Sequence, residues 1–187
     1  MSASDVSLAP TPHQTVGPFF AFGLEYPDMH QVAHPHSDGA ITLSGRLLDG
    51  AGAPVPDGVI EIFSATAGGE IPRERGSLRR DGLRFTGFGR AFTDDDGRYL
   101  FWTTEPAPTA AGGAAFFAVG VFARGLSARL ATRIYVPGDA DALASDPLLA
   151  SLDQDEAATL TAVRTAEGHL VHDIRLQGER ETVFLVF

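Results

Sequence analysis

The sequence predicts an all-β chain: an antiparallel β-sandwich with an N-terminal arm and one or two short helices. Three observations carry this expectation. Roughly seven to nine short runs rich in β-branched and aromatic residues are separated by Gly and Pro turns. No long stretch keeps a helical period, and one run, "FFAVGVFA" at 116–123, is apolar on both faces as an inner strand must be. With 187 residues, 44% hydrophobic and 20% charged, the chain can build one sizeable core and falls outside the disordered class.

Taken in order, residues 1–39 are rich in Pro, His, Gly and Ser without sustained periodicity and read as an arm and loop, with the sandwich domain spanning 40–187. "ITLSGRLLDG" sets Ile41, Leu43, Gly45 and Leu47 against Thr42, Ser44 and Arg46, the alternation of a half-buried strand. "VIEIF" and "FTGFGRAFT" are the next two strands. "DDDG" then reads as a hairpin turn into "RYLFWTT". After the inner strand 116–123, "RLATRIYV" opposes Leu130, Thr132, Ile134 and Val136 to Arg129, Ala131, Arg133 and Tyr135, a half-exposed pattern. "SDPLLASL" places Asp146 at an N-cap and Pro147 at the first helical position, predicting a short helix. Residues 153–167 fit helix and strand equally. "HLVHDIRLQG" and "ETVFLVF" read as two closing strands.

The net charge of −10 disfavours nonspecific nucleic-acid binding, which depends on neutralising phosphates. The chain has no cysteine, hence no disulfide, thiolate ligand or thiol nucleophile, in keeping with a reducing cytosol. The first residues show neither a basic n-region nor an apolar core, and nowhere do 18 apolar residues run together, so the expectation is a cytoplasmic protein with no membrane partner. No P-loop, G-x-S-x-G or G-x-G-x-x-G is present.

Some side chains invite chemistry. His30, His34 and His36, flanked by Asp28 and Asp38, have chelating spacing, but a Pro-rich loop offers no scaffold to fix them. "TDDDGRY" lacks the first and last carboxylates of a calcium loop. His169 and His172 read as surface residues, since alternation puts His172 and Asp173 on opposite faces. Arg124 is the one cation at the end of the apolar strand 116–123. On residue type alone it is a salt-bridged turn residue or the partner of an anionic ligand.

From Thr11 onward the chain resembles the intradiol ring-cleavage dioxygenase family in "TPHQTVGPFF", "VPDGVIEIFSATAGGE", "FGRAFTDDDGRYLFWTTEP", "VFARGLSARLATRIYVPGD" and "DIRLQGERETVFLVF". The resemblance implies a β-sandwich and, for the family, a ferric ion held by two tyrosines and two histidines. At the matching positions this chain has Ile71, Thr109, Phe116 and Ala118, and Gly113 stands where the family has an arginine. Aliphatic and phenyl groups have no lone pair for iron, and a threonine hydroxyl is a weak neutral substitute for a phenolate. The resemblance therefore implies a chain with no metal ligands and no catalytic residues of its own, the alpha kind of subunit. Fe(III) is expected on a homologous beta subunit in an obligate hetero-oligomer. It further implies that Gln14, Thr15, Gly17, Pro18, Phe19 and Arg124 line the partner's substrate pocket, where Arg124 meets the carboxylate of protocatechuate during its cleavage by O2 to 3-carboxy-cis,cis-muconate. Phe19 replaces a tyrosine common among relatives, which removes a phenolic hydrogen bond. The rival expectation is a stand-alone β-sandwich binding module that has lost catalysis.

Overall fold

The computed structural model of the chain describes residues 11–17, 20–73 and 85–186. Two sheets face each other. The first has the order β4-β1-β8-β7, with β9 also on β1; its strands are β1 (Ala40–Leu48), β4 (Arg98–Thr104), β7 (Val163–Arg164), β8 (Leu170–Val171) and β9 (Ile174–Arg175). The second has the order β3-β2-β5-β6, from β3 (Phe88–Phe92), β2 (Val59–Ser64), β5 (Phe116–Phe122) and β6 (Leu130–Tyr135). Period-2 alternation turns Leu43, Leu47 and Phe101 of the first sheet toward Ile60, Ile62, Phe117, Val119, Val121 and Ile134 of the second, forming one core. Gly89 lets the sheets approach: a Cβ there would lie 2.5 Å from Val32 and 3.1 Å from Phe101. The strand 116–123 is an inner strand as expected, because β5 pairs with both β2 and β6.

Several elements differ from the sequence expectation. The "DDDG" segment is a tight turn, with the Asp94 N–H donating to the Arg98 carbonyl at 3.0 Å and the Asp94 carboxylate receiving the N–H groups of Asp96 and Arg98. It is an arch, not a hairpin: β3 pairs with β2 in the second sheet and β4 with β1 in the first. "HLVHDIRLQG" splits into β8 and β9, both parallel to β1, so the first sheet is mixed. The described part of "ETVFLVF", residues 181–186, forms no strand and makes one isolated bridge, Leu185 to Ala131, on the free edge of β6.

The expected helix after Asp146 is a 3-10 turn, Leu149–Ser151. Asp146 closes the preceding helix α2 (Ala140–Ser145), and its Oδ1 accepts the N–H groups of Leu148 and Leu149. The ambiguous stretch resolves into α3 (Gln154–Ala158), started by a capping box between Asp153 and Glu156, and then β7. With α1 (Phe20–Leu24) in the arm, there are three short α-helices among the described residues. Further along the arm, residues 30–33 cover the outer edge of β4: Trp102 donates to the His30 carbonyl at 3.0 Å and accepts from Val32 at 2.7 Å.

Candidate functional site

Arg124 stands in the turn that follows β5, where the apolar strand reaches the end of the sandwich. Its Nη2 lies 3.1 Å from Oδ2 of Asp57, and both side chains are about half exposed, at 49% and 53%. Asp57 adopts a positive φ of 58° in the turn before β2, which aims its carboxylate along the same rim. The cation thus has a partner within the chain, held in a wet pair of modest strength.

Gln14 and Thr15 are exposed in the arm, and Gly17, at φ 75°, donates its N–H to Thr15 Oγ1 at 3.3 Å. Pro18 and Phe19 lie outside the described residues. Among the described residues no hydrogen bond or ion pair joins Gln14, Thr15 or Gly17 to Arg124.

The positions that the resemblance matches to the family's iron ligands fall into two places. Phe116 and Ala118 sit on one face of β5, the face turned away from the core. Ile71 and Thr109 are exposed in loops after β2 and β4. Tyr135, grouped by alternation with the half-exposed side of its strand, is instead fully buried: its ring packs against Phe116 with centroids 5.6 Å apart, because residues 116 and 135 are cross-strand partners. That phenol is no substitute ligand. It donates to Asp146 Oδ1 at 2.7 Å and accepts from Arg133 Nη1 at 2.9 Å. Burial, then the bond to Asp146, push its pKa up to about 12. The residues present do not fit a ferric ion.

The histidines part company. The His36 N–H donates to His34 Nδ1 at 3.2 Å, their rings are 5.5 Å apart, and His30 acts through its carbonyl. No group of three or more His, Asp or Glu able to hold a metal ion occurs among the described residues. His172 is not a surface residue, whereas His169 is half-buried. His169 Nδ1 accepts the Thr42 N–H at 3.0 Å, tying the segment before β8 to β1. His172 is 5% exposed.

Sequence reasoning missed the role of β6. Alternation grouped Arg129, Ala131, Arg133 and Tyr135 on one face, and the structure turns that face into a polar wall: Arg133 lies 4.1 Å over the Phe116 ring.

Comparison with known proteins decides the family. The profile of the Dioxygenase family matches residues 25–178. The chain belongs to the intradiol dioxygenase family. It is 37% identical to a protein of Burkholderia cepacia named protocatechuate 3,4-dioxygenase alpha chain, over 95% of this chain and 98% of the relative. It is also 30% identical to that organism's protocatechuate 3,4-dioxygenase beta chain, over 76% of this chain and 66% of the relative. Among solved structures, the dioxygenase domain of a dioxygenase carbohydrate-binding protein fusion from Streptomyces sp. SirexAA-E superimposes with a TM-score of 0.60 at 25% identity, covering 91% of this chain and 99% of that one. The chain therefore carries the intradiol dioxygenase sandwich, and the positions that the resemblance matches to metal ligands hold Ile71, Thr109, Phe116 and Ala118.

Proposed function

We propose that this chain is the non-iron-binding subunit of a protocatechuate 3,4-dioxygenase, completing the substrate pocket of a homologous iron-bearing subunit. The observation that carries the reading is a sandwich retained along its length with no side chain fit for iron at the four ligand positions, alongside near-full-length similarity to an alpha chain. Ring cleavage then belongs to the partner's Fe(III), and this chain binds and orients. Arg124 is the carboxylate clamp, and Gln14, Thr15, Gly17, Pro18 and Phe19 form the arm that closes the pocket. A guanidinium suits this task because its planar fork matches a carboxylate and stays charged at any working pH. Asp57 holds the guanidinium at the rim until a substrate carboxylate competes for it.

Co-expression with an iron-bearing homologue tests the reading. A coloured hetero-oligomer that consumes O2 with protocatechuate is expected. Arg124→Ala is expected to raise KM for protocatechuate about tenfold, roughly 1.4 kcal/mol, with little change for unsubstituted catechol. Equal loss on both substrates removes the clamp role. The second reading, a stand-alone binding module, draws on the Arg124–Asp57 pair, which satisfies the cation without any partner. A stable colourless monomer that ignores the homologue decides for it.

A further inference from the structure

A cavity of about 240 Å³ opens beside the break between β8 and β9. Three stretches of chain build it. Arg175 and Thr182 clasp each other across an intervening turn: the Arg175 N–H donates to Thr182 Oγ1 at 3.0 Å, and the Thr182 N–H donates to the Arg175 carbonyl at 3.0 Å. Arg180 stands in that turn at a φ of 61°. The Val183 N–H then donates to Thr159 Oγ1 at 3.3 Å, which draws this stretch against the segment that leads from α3 into β7. The break itself, His172 and Asp173, forms the remaining wall.

The polar groups of these walls are unequally committed. His172 is 5% exposed, and its Nε2 has no hydrogen-bond partner. The ring does bond the Thr161 backbone. That bond falls to Nδ1, so Nδ1 carries the proton and Nε2 presents a lone pair. Thr182 is buried; its oxygen accepts from Arg175, and its proton meets no acceptor among the described residues. Among the described residues no carboxylate pairs with Arg175 or Arg180. Asp173 gives Oδ1 to the Arg46 N–H at 2.9 Å, and its other oxygen meets no donor among the described residues.

The cavity thus offers donors from two guanidiniums and a hydroxyl, and acceptors from an imidazole lone pair and a carboxylate. Two cations against one carboxylate leave it positive. A buried acceptor is costly unless something brings it a hydrogen. The fitting ligand is an oxyanion that still holds a proton. Near neutral pH phosphate does: its ionised oxygens accept from guanidinium, and its O–H donates to imidazole or carboxylate. Sulfate has no proton to give, and its full charge is set against Asp173.

We propose that this cavity binds a protonated phosphate group, its ionised oxygens on Arg175, Arg180 and the Thr182 hydroxyl and its O–H on His172 Nε2, with Asp173 turning away fully ionised oxyanions. The site uses neither Arg124 nor the arm and does not rest on the subunit reading. Titration calorimetry of the full chain with inorganic phosphate is expected to show one saturable site per chain, with sulfate at matched ionic strength at least about tenfold weaker. Methyl phosphate, titrated alongside, names the source: tighter binding of the ester assigns the site to a phosphomonoester, and tighter binding of phosphate to the free ion. Arg180→Asn, at an exposed turn position where asparagine accepts the positive φ, is expected to weaken phosphate by about tenfold. Nitrogen NMR of the His172 ring is expected to show the Nε2 resonance moving as phosphate is added. Absence of saturable binding by phosphate and methyl phosphate alike, equal affinity for sulfate, full affinity in Arg180→Asn, or an unmoved Nε2 resonance would each overturn the proposal.

Discussion

At the scale of the residue, His172 shows how an interior position sets a pH dependence. Its Nε2 has no hydrogen-bond partner, and burial pushes its pKa down to about 4, against the opposing pull of the Thr161 backbone and Asp173. The folded chain keeps the ring neutral where the unfolded chain, titrating near 6.5, has already taken up a proton. Stability from this residue is thus complete above pH 6.5 and drains away as pH falls toward 4. Between pH 7 and pH 5 the loss is about 2 kcal/mol. Urea unfolding of the wild type and of His172→Leu at both pH values checks it, and equal slopes in the two proteins would remove His172 as the cause. None of this was visible in the string "HLVHD", where alternation suggested an exposed ring. The ring is buried because the strand breaks at that point.

At the scale of the element, the break between β8 and β9 is organised by β1. The His172 N–H donates to the Ser44 carbonyl at 2.8 Å, and the His172 carbonyl then turns inward to accept the Tyr99 hydroxyl at 2.6 Å. The Arg46 N–H, deprived of a ladder partner, takes the Asp173 carboxylate at 2.9 Å. Gly45 makes room for the detour, since a Cβ there would sit 1.7 Å from the His172 oxygen. Gly45→Ala is expected to cost about 3 kcal/mol or more in chemical denaturation, because backbone has to move. A loss below about 1 kcal/mol would mean the two strands are not locked this way. The long strands were legible because each carries its own alternation and buries it. β7, β8 and β9, two residues each, carry no such pattern: β8 and β9 form against β1, far off in sequence, and β7 follows as the short hairpin partner of β8. The five- and six-residue helices are equally short of periodic signal.

At the scale of the whole molecule, the sandwich could be read from the chain, because the alternation of each long strand depends on residue type in a run. The surroundings of Arg124 could not, since Asp57 arrives from a separate turn. Arg133 of β6 lay in plain view on an alternating face, yet only the register of β6 to β5 sets it over Phe116. The junction of β1 with β8 and β9 also governs how the chain is made. β1 gains β4 early, but its other edge waits for residues 127 positions further on, such as His169, to be synthesised and to return. A nascent chain therefore carries an open, pairing-competent edge through most of its translation. In pulse-labelled exchange during refolding, amides between β1 and β4 are expected to gain protection before those of His172 and Leu176, and simultaneous protection would show that both edges close in one step.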